Sequence, residues 1–315
     1  MKWINKRTFR LALSIVLSVL IIILVYDKID FASMRKVFSE IKVLPFIIFL
    51  LLFIPQLWLA TKRWNVMTKE IGKVKLGLFT SFKQVVGSYS ANLIIPGKMG
   101  EIVRIPWMKK YKLESPVLML VFLEKIFDVL AVFFILFVAS ITYLFFSAEH
   151  QTLLQIVVIT LACAFVLLLV LYFNRKRISG YIDRRFADYL SKKRGNFIYF
   201  KIRNALKYVD YRITWYFLMS ILLWIVQICE FYCIFMMFNI FPHVLDVYVG
   251  ISLALLAGAL PISIAGLGPR DAVIIKFFST YAPIEILAGV GIISLFRIIV
   301  TALIGLPFFM MQTRK

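Results

Sequence analysis

The sequence predicts an all-α polytopic membrane protein with six full transmembrane helices and two re-entrant helical hairpins, arranged as inverted repeats. Three observations lead there. The 315 residues are 62% hydrophobic and 17% charged, with a mean hydropathy of +0.90, whereas soluble domains run nearer ~45–50% apolar and ~25% charged. Apolar runs of about the ~20 residues needed to cross a bilayer recur between clusters of Lys and Arg. Two further apolar stretches, one in each half, are broken at their centres by Pro and Gly. The net charge of +21 would ordinarily suggest nucleic acid. That reading needs a solvated basic domain, and six spans with their loops leave little chain to build one.

The elements follow in order. Lys2, Lys6, Arg7 and Arg10 precede an apolar run over 11–26, read as a retained first span because no small-residue cleavage site follows. The second span covers 44–60 and stops at the polar run Thr61-Lys62-Arg63-Trp64. The third covers 117–146, the fourth 153–173, the fifth 213–238 and the sixth 284–311. The loop 174–212 carries twelve Lys/Arg. Its aromatics interleave with cations, from Tyr181 and Arg184 to Phe186, Tyr189 and Lys192, which suits an interfacial helix on anionic lipid. Two membrane repeats result, residues 1–150 and 151–315.

Positive charge concentrates in the N-terminal ten residues, in 61–77, in 174–212 and in the tail with Arg314 and Lys315, while 147–152 and 239–246 hold no Lys or Arg. The positive-inside bias then places both termini in the cytoplasm of a plasma or inner membrane. That orientation requires the broken stretches 78–111 and 247–281 to enter and leave on one side. Each reads as a helix, a Pro/Gly tip and a second short helix, with arms too short to span and irregular backbone tolerable only inside protein. Paired interruptions in the two halves point to a transport site between them.

The candidate residues sit at those tips and on the spans beside them. Pro96, Gly97 and Gly100 turn the first tip, with Asn92 before it and Glu101 and Arg104 after it; Ser263, Gly266 and Gly268 turn the second, followed by Pro269, Arg270 and Asp271. Each tip is expected to present a helix N-terminus, one arginine and one acid, a combination suited to an anionic headgroup. Glu124 and Asp128 share a face of the third span at i,i+4, and Glu230 and Arg297 lie within the fifth and sixth. Ionisable groups inside spans are costly and mark pathways, partners or proton relays, so these four are candidates for gating or proton coupling. Cys163, Cys229, Cys233, His150 and His243 lack metal-ligand spacing. No nucleotide-binding loop and no nucleophile–base–acid set occurs. Neither cofactor nor metal is expected.

Taken in order, the run from Asn92 through Pro96, Gly97, Gly100 and Glu101 to Arg104, the segment Glu124-Lys125 to Asp128, and the run from Leu260 through Ser263, Gly266 and Gly268 to Arg270-Asp271 resemble the lysylphosphatidylglycerol synthase transmembrane-region family. This is the flippase-like half of multiple peptide resistance factors. The family usually shows Glu-Arg and Arg-Glu where this chain has Glu124-Lys125 and Arg270-Asp271, so charge is kept at both. The aminoacyl-transferring domain of the bifunctional members has no counterpart here. The resemblance therefore implies a free-standing lipid flippase rather than an enzyme, moving an anionic or aminoacylated phospholipid or a polyprenyl-phosphate-linked glycan. The alternatives are a membrane-embedded transferase, of phosphatidylglycerol lysyltransferase type by family name, and a scaffold in lipid-linked glycan assembly. Expected partners are the lipid substrate, anionic lipid at the basic loop and a separate synthase or glycosyltransferase, with no nucleic acid. Arg104 and Arg270 are expected to hold phosphate, Glu101 and Asp271 to orient those arginines or gate, and Glu124 and Asp128 to attract a cationic moiety or carry a proton.

Overall fold

Long helices dominate because the apolar runs leave backbone N–H and C=O groups no partner but each other in lipid. The computed structural model of the chain describes residues 38–92, 100–108, 111, 115–146, 212–259 and 268–313. The helices are α1 (Val43–Glu70), α2 (Leu78–Ala91), α3 (Arg104–Met108), α4 (Ser115–Phe146), α5 (Arg212–Met237), α6 (Val244–Ala259), α7 (Pro269–Phe277) and α8 (Ile284–Thr313). A 3-10 turn, Gly100–Val103, leads directly into α3.

Four of these helices, α1, α4, α5 and α8, are long and apolar enough to cross a membrane. At 1.5 Å per residue, 26–32 residues extend about 39–48 Å, beyond the ~30 Å hydrocarbon core. This corrects the expected fold of six full spans plus two re-entrant hairpins: four spanning helices stand among eight described ones. The runs 11–26 and 153–173, counted as spans from hydropathy, and the basic loop 174–212 lie outside the described residues. The two broken stretches differ in how their arms pack. In the first, α2 packs chiefly along α8, then on α1 and on the 3-10 turn of its returning arm, with little contact to α3; in the second, α6 and α7 pack on each other. Hydropathy registers a break in a run, but the neighbour on which each arm packs decides whether the arms pair.

Helix α1 carries the second correction. It does not stop near residue 60 but continues to Glu70. The positions Ala60, Trp64, Met67 and Ile71 keep helical spacing and are all buried, so packing carries the helix past Lys62 and Arg63. The stretch 61–77 is thus not a loop throughout, and Arg63, counted as a topogenic surface charge, is 3% exposed.

Helices from residues 43–146 pack on helices from 212–313: α1 on α5, α2 on α8, and α4 on both α5 and α6. The α2–α8 crossing is close because Gly305 lets the carbonyl oxygen of Val86 approach to within 2.1 Å of where a Cβ would sit. Ser90 Oγ donates to the Ala302 carbonyl at 2.6 Å across the same crossing. Two apolar clusters form the interior. One gathers Phe49 and Phe53 of α1 with Val132, Ile135 and the later part of α5. The other gathers Ala60, Trp64 and Met67 with Leu120, Phe127 and Tyr216. Gln56 on α1, Asp128 on α4 and Gln227 on α5 fall between these clusters in sequence, at the level where the polar residues collect. Val43, Leu44, Leu51, Ile54 and Trp58 of α1 are exposed, as apolar side chains facing lipid would be.

Candidate functional site: a buried ionic cluster around one cavity

Glu124 and Asp128 share a helical face, and that face points inward. Arg63 reaches both. Its Nη1 donates to Asp128 Oδ1 at 2.6 Å and to Ser220 Oγ at 2.6 Å, and its Nη2 donates to Glu124 Oε1 at 2.9 Å. One guanidinium thereby joins α1, α4 and α5. Trp224 Nε1 adds a donor to Asp128 Oδ1 at 3.2 Å.

Arg104 takes the other oxygen of Glu124, with Nη1 to Oε2 at 2.7 Å. Its Nε and Nη2 donate to Ser88 Oγ at 3.1 and 2.9 Å. Its guanidinium stacks 4.6 Å above the Trp64 ring, and Trp64 Nε1 is itself held by Gln84 Oε1 at 2.7 Å. The expectation that Glu101 orients Arg104 is not met: Glu124 and Ser88 do so, and Glu101 Oε1 instead accepts from Lys125 Nζ at 2.8 Å.

The first tip closes through Asn92, whose Oδ1 accepts the Gly100 N–H at 2.7 Å. A Cβ at Gly100 would lie 2.6 Å from Asn92 N and from the Ser88 carbonyl, so glycine is needed there for close approach. The second tip ends at Gly268, with φ 87°, a left-handed value that glycine adopts without a Cβ clash. Asp271 caps α7 by accepting the Gly268 N–H at 3.2 Å, and its other oxygen accepts from Arg270 Nε and Nη2 at 3.0 and 2.8 Å. Arg270 Nη2 also donates to the Gly291 carbonyl at 3.3 Å. The expected pair of anion-binding helix N-termini is therefore not what the tips present. The first leads through a 3-10 turn into a five-residue helix, and a macrodipole builds only over aligned turns. At the second, the Gly268 N–H is taken by Asp271. The arginines carry the positive potential instead.

Arg297 of α8 pairs with Glu230 of α5, Nε to Oε2 at 2.5 Å. Its Nη2 donates to Gln227 Oε1 at 3.4 Å, which Gln56 Nε2 also approaches at 3.4 Å.

These groups surround one cavity of about 140 Å³. Of the residues singled out from sequence, Asn92, Glu101, Arg104, Glu124, Asp128, Arg270 and Arg297 line it. Gly100, Asp271 and Glu230 stand one contact behind, each bonded to or paired with a lining residue, and Gly268 stands behind Asp271. Gly97 and Ser263 lie outside the described residues. The sequence did not single out Arg63, Ser88 or Tyr89 as site residues. The available signal for Arg63 was the buried helical spacing of Ala60, Trp64 and Met67 on either side of it.

A cluster of this kind is not retained for stability, because desolvating paired charges costs about as much as their attraction returns. Each cation in it has an acid within salt-bridge distance. The arrangement is an aqueous-sized, charge-lined chamber between apolar layers, able to accept a polar group that would otherwise have to be desolvated in hydrocarbon.

The fold and chamber define the class: a multi-pass helical membrane protein with a polar site enclosed among its helices. The lysylphosphatidylglycerol synthase TM region family matches residues 11–305, and the chain belongs to that family. No curated protein and no solved structure matches it. Membership in the family supports a flippase-like membrane role with lipid as the substrate, over the transferase reading, because the matched region is the family's membrane part.

Proposed function

We propose that the protein translocates a membrane lipid by admitting its headgroup to the ionic chamber while the acyl or prenyl tails remain in the bilayer. One observation carries this reading. Charged residues from α1, the first tip, α4, the second tip and α8 line a single cavity in a chain whose long helices are otherwise apolar. The substrate is an anionic or aminoacylated phospholipid or a polyprenyl-phosphate-linked glycan.

Arg104 and Arg270 form the phosphate-facing wall together with Arg297, which has the most exposed of the arginine side chains in the cluster, at 16%. Guanidinium suits this task because its donor fork matches phosphate oxygens. Asn92, Gly100 and Gly268 hold the tips in shape. Asp271 positions Arg270, and Glu124 and Asp128 position Arg104 and Arg63. Glu230 and Arg297 connect α5 to α8 and form the gate or proton-coupling pair. The charge bias of the termini supports cytoplasmic ends, and the basic loop 174–212 supports contact with anionic lipid. A separate synthase or glycosyltransferase would supply the headgroup chemistry.

Reconstitution tests the reading. Purified protein in liposomes should move an acyl-labelled phospholipid or a labelled polyprenyl-phosphate lipid between leaflets. Turnover of an aminoacyl or glycosyl donor with no lipid movement would establish the transferase alternative instead. Arg104→Ala and Arg270→Ala variants that fold and translocate at the wild-type rate would remove the site assignment.

A further inference from the structure

The ion pairs around the chamber balance among the described residues. Arg63, Arg104, Lys125, Arg270 and Arg297 are matched by Glu101, Glu124, Asp128, Glu230 and Asp271. A lone phosphate entering such a set would leave net charge in a poorly solvated space, which is costly. A headgroup that brings its own positive charge would not.

Most of the acid oxygens are already taken. Both oxygens of Glu124 and of Asp128 accept from arginine, and both oxygens of Asp271 are used at the second tip. The acids expected to attract a cationic moiety are therefore saturated by the protein's own cations. Glu101 differs. Its Oε1 accepts from Lys125, and its Oε2 is buried with no hydrogen-bond partner. The residue is 5% exposed and lines the cavity. A buried carboxylate oxygen without a donor is unusual in a folded interior and indicates a donor that arrives from elsewhere.

We infer that Glu101 is the specificity-determining residue of the chamber, accepting the ammonium of a zwitterionic headgroup whose phosphate faces the arginines. This rests on the translocation reading above and narrows it to headgroups carrying one phosphate and one amine. Lys125, Arg104 and Tyr89 line the same cavity. The Glu101 carboxylate itself selects a donor, because a second anion there would meet it directly, whereas an ammonium completes its coordination.

The test uses phosphatidylcholine liposomes containing the full chain and tracer phosphatidylethanolamine or phosphatidylglycerol, each with the same labelled acyl chain. Wild type should move the ethanolamine lipid at least about tenfold faster, the size expected of one hydrogen bond to a charged group. Glu101→Gln gives the chamber one net positive charge and should bring that ratio to unity or reverse it. Glu101→Asp keeps the charge and should keep the preference at reduced rate, which separates a selectivity effect from misfolding. If wild type moves both lipids but Glu101→Gln leaves their ratio unchanged, or if wild type already favours phosphatidylglycerol, this inference is overturned and translocation stands. If wild type moves no labelled lipid of any class, translocation itself falls and this inference with it.

Discussion

Arg63 Nη1 and Asp128 Oδ1 meet at 2.6 Å across 65 positions of sequence. The same guanidinium holds Glu124, and Glu124 in turn holds Arg104. The contact is thus one end of a chain of ion pairs running from α1 through α4 to the first tip. Among the described residues Arg63 makes no hydrogen bond or ion pair to the second tip, yet it sets the acids that position Arg104.

Removing Arg63 should be costly because two acids would remain buried without their cation. Arg63→Ala is expected to lose about 3–5 kcal/mol of stability, read as thermal unfolding in detergent. Arg63→Lys should fall between, since an ammonium lacks the fork that serves Asp128 and Glu124 together. Adding Glu124→Gln and Asp128→Asn to the Arg63→Ala chain should restore part of the loss. An Arg63→Ala protein that melts with wild type would contradict the described network.

Two glycines at the α2–α8 crossing should respond differently. A methyl at Gly305 would lie 2.1 Å from the Val86 carbonyl oxygen, whereas one at Gly87 would lie 3.3 Å from Phe309 N and the Trp107 ring. Gly305→Ala should cost about 1–3 kcal/mol or more through overpacking, and Gly87→Ala distinctly less. Melting temperatures of the two variants, measured side by side, check the order.

Glu230 is wholly buried and its charged neighbour is Arg297. Arg297→Gln alone should destabilise more than the double change Glu230→Gln with Arg297→Gln, which removes both charges. The coupling from a double-mutant cycle should fall within about 0.5–3 kcal/mol. Additive single effects would mean that the pair does not act as a unit.

Trp64 serves Arg104 with its face and Gln84 with its edge. Trp64→Phe should lose the Gln84 hydrogen bond, about 1–3 kcal/mol for the unsatisfied group, while keeping a ring under the guanidinium. Trp64→Leu should lose about 0.5–2 kcal/mol more, the cation–π share. Equal destabilisation by the two changes would show that the ring contributes only volume.

Much of the site was legible locally. Glu124 and Asp128 share a face by spacing alone, and the tip residues Asn92, Gly100, Gly268, Arg270 and Asp271 stand out because glycine and charge interrupt apolar runs. The partners were harder to see. Glu101 was expected beside Arg104 because it is three residues away, but a short 3-10 turn aims it at Lys125 of α4. Arg63 was hidden because a cation at the end of an apolar run is the usual mark of a membrane boundary. The expected count of six spans included the runs 11–26 and 153–173, which lie outside the described residues, and four described helices are long and apolar enough to span.

By itself the sequence determined that this chain is helical, that it lives in a membrane and that a few charges lie at unusual depth. Those properties follow from composition and period, which local chemistry dictates. Tertiary structure decided which charge faces which, because ion pairs between helices depend on crossing and rotation that no short window contains. It also decided that, of the acids lining the cavity, Glu124 and Asp128 are saturated by arginine while one oxygen of Glu101 is not, and that difference is where the chamber's selectivity is proposed to reside.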